Sequence, residues 1–242
     1  MVGKPRYIAP EVLGDDGYDL KYDIWSAGVT AYTLMAGYHP FEADHDVEVY
    51  QQIVDGYFDF KGPEWETVSD QAKDFVSKLL TYKDEERPTA EEALSHPWIT
   101  GDNSGVPFAA AEPQIVWSAE PAVKSKDDFV SGREGGFDDH YDLGELLGGG
   151  EFGAVYKCTH KETGNERAAK IMEKAEMDKW EYDAVIEEFQ ILTSIDNPNV
   201  IRVYCFYETD EKFYIVQELA KGGELFDELE KHGRLSEKDV LT

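Results

Sequence analysis

Three glycines, one lysine and one glutamate carry the most chemical information in this chain. Gly148, Gly150 and Gly153 form Gly-x-Gly-x-x-Gly, a spacing that lets a tight turn bring backbone amides up to phosphate oxygens with no Cβ in the way. Lys170 follows Gly148 by 22 residues, in Arg-Ala-Ala-Lys, and an ammonium at the end of a strand can reach the phosphates that such a turn covers. Glu188 lies 18 residues further on, in Glu-Phe-Gln-Ile-Leu, where it can hold that ammonium by an ion pair. Its rival is the adjacent Glu187, but the apolar series Val185, Phe189 and Leu192 puts Glu188 nearer the buried side of a helix.

The elements that must position these groups are legible from periodicity. From about Phe137 the pattern is β-rich, with strands near 141–147, 152–159 and 166–172, the last two joined by a turn at Glu162-Thr163-Gly164-Asn165. A helix follows near 177–194, then strands near 200–208 and 213–218 around the charged turn Asp210-Glu211-Lys212. A short amphipathic helix starts around Glu224 and stops before Gly233. The glycine motif therefore sits between two strands and not ahead of a helix, which argues against a dinucleotide-binding fold.

The first hundred residues read differently. Ile24, Trp25, Gly28, Val29, Tyr32 and Met35 recur at helical spacing among small residues, as in a helix buried on most sides. Ser69 is a good N-cap for Ala72, Phe75, Val76, Leu79 and Leu80. Thr89 and Glu92 form a capping-box pattern, and Pro97 in His-Pro-Trp marks the expected stop of that third helix. Between the two halves, residues 101–137 are rich in Gly, Pro, Ala and Ser without periodicity and read as a linker.

Composition narrows the partners. Fifty-one acidic residues against 23 Lys plus Arg give a net charge of -28, which repels nucleic acid and anionic membrane surfaces and favours basic peptides. The excess is spread along the chain, at -12 over residues 1–100, -3 over 101–137 and -13 over 138–242. Five Trp, fourteen Tyr and twelve Phe supply ample core material. Cys158 and Cys205 have no metal-site spacing. No apolar run approaches the roughly 18 residues that span a bilayer, so the expected compartment is the cytoplasm, with the nucleus as the alternative.

Taken together, these motifs resemble the eukaryotic Ser/Thr protein kinases, in particular the calcium/calmodulin-dependent and calcium-dependent ones, over about 200 of the 242 residues. Gly3 to Glu11, Gly-Lys-Pro-Arg-Tyr-Ile-Ala-Pro-Glu, is similar to the close of a kinase activation loop, whereas Leu147 to Val155 is similar to the loop that opens such a domain. The order is inverted. The resemblance implies an α+β, protein-kinase-like fold: residues 1–100 as part of a helical large lobe, 101–137 as linker, and 138–242 as a five-stranded small lobe with one main helix and the start of a large lobe.

What the resemblance implies for the site is specific. ATP would be bound by Leu147, Gly148, Gly149, Gly150, Phe152, Gly153, Val155, Ala168, Lys170, Glu188, Gln217 as gatekeeper, Glu218 and Ala220 of the hinge, and Glu224 at the ribose. Glu11 and Arg87 would form a structural ion pair, and Asp23 would hold the backbone of a catalytic loop. Mg2+ accompanies ATP in the family, but no His-Arg-Asp or Asp-Phe-Gly occurs in these 242 residues, so no catalytic or metal-binding residue is assigned. The pattern also breaks at Lys4, where the family usually has Thr.

The expected function is ATP-dependent phosphoryl transfer to protein Ser/Thr, with this chain as an incomplete piece of a tandem kinase that is inactive alone. The alternative is a non-catalytic scaffold that binds nucleotide or protein partners. A permuted order in which the halves fold back on each other is the disfavoured arrangement, because the missing loop would leave their interface unfilled.

Overall fold

A computed structural model describes residues 4–14, 20–101, 135–150, 153–175, 177–195 and 197–241. In chain order the helices are α1 (Tyr22–Ala36), α2 (Asp46–Asp55), α3 (Asp70–Leu79), α4 (Ala90–Leu94), α5 (Pro97–Thr100), α6 (Phe137–His140), α7 (Lys179–Ser194), α8 (Leu225–His232) and α9 (Glu237–Val240). The strands are β1 (Tyr141–Gly150), β2 (Gly153–His160), β3 (Glu166–Glu173), β4 (Val203–Glu208) and β5 (Lys212–Gln217). These elements form two compact units, Met1–Val116 with Glu224–Thr242, and Trp117–Gly223.

In the first unit α1 is the central core element. Trp25, Val29, Tyr32 and Met35 are buried at its helical period, and Gly28 lets α3 approach closely, because a Cβ there would stand 2.8 Å from Leu79 Cβ. Trp25 stacks on Phe41 with ring centroids 5.5 Å apart, and Tyr32 meets Phe60 and Trp65. The N-cap of α3 is Ser69, whose Oγ accepts from the Ala72 N–H at 3.1 Å. Thr89 and Glu92 close a capping box on α4. Pro97 does not stop a helix but opens α5 at its first position, where the missing N–H is no loss.

Residues Glu224–Thr242 belong to this helical unit. The resemblance gives 138–242 as a small lobe followed by the start of a large lobe, and α8 and α9, from that last part, pack against the helices of the first hundred residues. The Leu235 N–H donates to the Leu34 carbonyl at 2.8 Å, Leu235 is buried, and Val240 and Leu241 join the core around α1. Arg234 bonds to the Glu64 carbonyl and to Thr67 Oγ1.

The second unit is a five-stranded antiparallel sheet in the order β1-β2-β3-β5-β4 with α7 on one face. Met172, Val203, Phe213 and Ile215 form the core on that face, with Tyr182, Val185, Ile186, Phe189 and Leu192 of α7 packed against it. Phe137, Tyr141, Cys158, Ala169, Cys205, Tyr207 and Val216 form a second cluster. A register shift between Val203 and Cys205 lets β4 serve both. β1 runs on to Gly150, beyond the expected end at 147, because Gly148 and Gly149 still pair with Val155 and Ala154. Of the expected linker 101–137, all but the first residue and the last three lie outside the described residues.

Candidate functional site

One row of the sheet gathers the groups singled out by spacing. Gly148 pairs with Val155, Val155 with Lys170, and Lys170 with Ile215. Directly opposed residues of antiparallel strands share a face, and so do residues two apart along a strand. Val155, Lys170 and Ala168 therefore lie on the face that carries α7, and Gln217, opposite Ala168, joins them there.

On that face Lys170 Nζ stands 3.5 Å from Glu188 Oε1 on α7. The pair is partly wet, with the Lys170 side chain 24% and the Glu188 side chain 52% exposed. Glu187 is exposed and has no basic partner among the described residues. The helix is aimed by its own N-terminus, where Asp178 Oδ1 accepts from the Glu181 N–H at 2.9 Å and Glu181 Oε2 accepts from the Asp178 N–H at 2.8 Å.

Of the glycine motif, Gly148 and Gly153 have described surroundings. Gly153 has φ of 113°, and a Cβ there would collide with the Ile171 carbonyl and lie 2.9 Å from Met172 Cγ. Only glycine fits. Gly148 faces open space, so its backbone is approachable, and Leu147 beside it is half exposed. Phe152 lies outside the described residues.

At the end of β5, Glu218 is tied twice to Arg202. Its N–H donates to the Arg202 carbonyl at 2.8 Å, and its Oε2 accepts from the Arg202 N–H at 3.3 Å. That amide is therefore engaged within the sheet unit. Ala220 is exposed, and its N–H has no backbone partner among the described residues. Glu224 falls in the helical unit, where it is the N-cap of α8 without a side-chain capping bond.

The donor set divides when tested against the family's ligands. The open glycine backbone, the Lys170 ammonium and the free hinge amide suit the phosphates and base of a nucleotide. For a divalent cation, no group of three or more His, Cys, Asp or Glu side chains converges among the described residues, and none of them is assigned to it.

One charged grouping escaped sequence reasoning. Lys174 Nζ lies 2.7 Å from Glu208 Oε1, which also accepts from Tyr182 Oη at 2.9 Å. This pins β3, β4 and the first turn of α7 together. The Lys174 bond, then the Tyr182 bond, hold the Glu208 carboxyl below the usual carboxylate range against a smaller effect of burial. In the helical unit, Arg87 forms a bidentate pair with Glu11, Nη1–Oε1 at 2.7 Å and Nη2–Oε2 at 3.0 Å, and also donates to the carbonyls of Lys21 and Thr81. Asp23 is exposed in the first turn of α1. Lys4 lines a small, mainly apolar cavity with Tyr7, Thr30, Leu34, Leu225 and Phe226. Neither the Glu208 grouping nor that cavity has a local sequence signature.

The chain belongs to the protein kinase family: the family model described as "Protein kinase domain" matches residues 1–99 and 141–242. Among curated proteins it is 42% identical over 132 residues to a probable myosin light chain kinase of Dictyostelium discoideum, covering 54% of this chain and 32% of that one. It is 45% identical over 102 residues to a calcium/calmodulin-dependent protein kinase type 1 of Caenorhabditis elegans, covering 42% of this chain and 29% of that one. The match to the type 1 enzyme of Macrobrachium nipponense is also 45%, over 100 residues. The chain thus spans about a third of the length of the curated relatives it matches. It is a eukaryotic Ser/Thr kinase family member that resembles the calcium/calmodulin-dependent kinases.

Proposed function

We propose that the sheet unit is the nucleotide-binding half of a Ser/Thr protein kinase and binds ATP through its phosphates and base. The observation that carries this is the Lys170–Glu188 pair at 3.5 Å, on the sheet row that leads directly to Gly148. In this reading the glycine-turn amides and the Lys170 ammonium bind phosphate oxygens, and Glu188 keeps that ammonium from swinging into solvent. Leu147, Val155 and Ala168 supply the apolar walls. Gln217 limits the depth of the pocket, and the Ala220 amide and the Glu218 carbonyl meet the base edge.

The whole reaction would be phosphoryl transfer from ATP to Ser or Thr of a protein substrate, with Mg2+ as the family's usual companion to ATP. No residue here is assigned to the metal or to the proton of the acceptor hydroxyl, because neither His-Arg-Asp nor Asp-Phe-Gly occurs in the sequence. In this reading the chain contributes nucleotide binding and leaves transfer to residues it does not carry.

A fluorescent ATP analogue titrated into the full chain tests both parts. Binding weakened by about tenfold in Lys170→Met, and by less in Glu188→Gln, is expected from the loss of a charge-assisted phosphate contact. Affinity indifferent to Lys170 would remove the proposed site. Robust phosphorylation of a protein substrate by the purified chain would overturn the assignment of transfer to absent residues.

A further inference from the structure

The sheet unit's long helix has two apolar faces, and among the described residues of that unit only one is covered. Tyr182, Val185, Ile186, Phe189 and Leu192 of α7 meet the sheet, which a single amphipathic stripe explains. On the other side Trp180, Ala184 and Ile191 recur at i, i+4 and i+11, and the C-cap residue Ile195 extends the line. Trp180 is 64% exposed, Ile191 52% and Ile195 39%. At 1.5 Å per residue the stripe is roughly 22 Å long, about four helical turns. A run of exposed large apolar side chains headed by a tryptophan is the composition of an interface, not of an ordinary solvated helix face.

Both edges of the stripe are acidic. At 100° per residue Glu181 and Glu188 flank one side and Asp183 and Glu187 the other, and Lys179 is the only basic residue of the helix. Asp183 and Glu187 are exposed, with no basic partner among the described residues. We propose that this face docks a basic amphipathic helix of a partner protein, its apolar side seated along Trp180, Ala184 and Ile191 and its Lys or Arg side chains reaching the acidic edges. A straight stripe with helical repeat is matched by a second helix. A second copy of the same face would set carboxylates against carboxylates in a chain of net charge -28, and an anionic lipid surface would be repelled for the same reason.

The test is fluorescence anisotropy of the full chain with a labelled synthetic Leu/Lys helix of about 18 residues, five turns long, alongside a scrambled peptide of identical composition. The patterned helix should bind about tenfold tighter than the scrambled one, and Trp180→Ser and Ile191→Ser should each erase about that factor, as truncation of an interface anchor does. Both side chains are solvent-facing, so urea midpoints should not move. Equal binding of the scrambled peptide would reduce the effect to bulk charge and overturn the proposal. So would affinity indifferent to Trp180, or a concentration-dependent dimer in sedimentation that Trp180→Ser abolishes.

Discussion

Glu237 Oε2 accepts the indole N–H of Trp98 at 2.9 Å, joining residues 139 apart in sequence. The same carboxylate accepts from Ser69 Oγ at 2.8 Å and from the Ser69 N–H. Three donors from α5 and the N-cap of α3 thus converge on one side chain of α9. This is the polar half of the contact that brings the last residues onto the helical unit, and Leu235 is the apolar half.

Glu237→Ala should therefore loosen the C-terminal segment without dismantling the core beneath it. Trp98 is nearly fully buried, so its indole N–H would lose this acceptor in a place water reaches poorly, at a cost of about 1–3 kcal/mol. Glu237→Gln keeps one acceptor oxygen and should lose less. Urea unfolding followed by Trp fluorescence measures both, and limited proteolysis should show earlier cutting after Glu224. An unchanged midpoint for the Ala variant would mean the convergence contributes nothing.

A steric contrast separates two glycines at the same contact. Gly37 caps α1 with φ of 85°, and a Cβ there would run into the Gly233 carbonyl. Gly233 also has positive φ, at 76°, but faces open space. Gly233→Ala should cost only the left-handed backbone penalty, about 1–2 kcal/mol. Gly37→Ala adds a backbone collision that relaxes only by moving the chain around Gly233, so it should cost clearly more. Equal thermal midpoints for the two variants would contradict that packing.

The Arg87–Glu11 pair predicts a strongly asymmetric double-mutant cycle. The Arg87 side chain is 0% and that of Glu11 12% exposed, and the guanidinium also lies 5.2 Å from the Trp25 ring. Arg87→Met leaves a largely buried carboxylate without its cation and should destabilise the helical unit by about 3–5 kcal/mol. Adding Glu11→Gln should recover part of that loss, because the unpaired charge is gone. A double variant as unstable as the sum of the singles would show that the two side chains do not act as a pair.

Asp74 gives a pH signature with a definite sign. Its carboxyl is held below the usual range chiefly by a hydrogen bond from Lys78; burial opposes this, and a weaker effect of the His96 hydrogen bond adds to the lowering. A carboxylate with a depressed folded-state pKa contributes stability above its unfolded value of about 4, and loses it as pH falls through the lower folded value. The midpoint gap between the parent chain and Asp74→Asn should thus be constant near neutrality and close as pH drops below about 4. A gap that persists into strong acid would assign the effect to packing.

Much of the local architecture was legible because its causes are local. The capping pair Thr89 and Glu92 acts across three residues, and the stripe from Ala72 to Leu79 repeats within a single helix. The glycine turn and Lys170 stand on adjacent strands whose alternation can be read directly. By contrast, α2 went unread because its apolar positions are mixed: Val49 and Ile53 are buried, but Val47 and Val54 face outward, which blurs the period. Pro97 reads equally well as a stop or a start, and only its place at the first position of α5 decides between them.

Sequence alone determined the five strands, the main helix and the glutamate that meets Lys170, since each follows from spacing within a few dozen residues, while the class of protein came from the resemblance of its motifs to a known family. Tertiary structure alone decided that Glu224–Thr242 belongs with the helical unit, that Glu237 is its polar anchor, and that α7 keeps a bare apolar face. The first two outcomes depend on pairings between residues well over a hundred positions apart, such as Leu235 with Leu34. Helical and strand periodicity reports which side of an element is apolar, but not which distant surface will cover it.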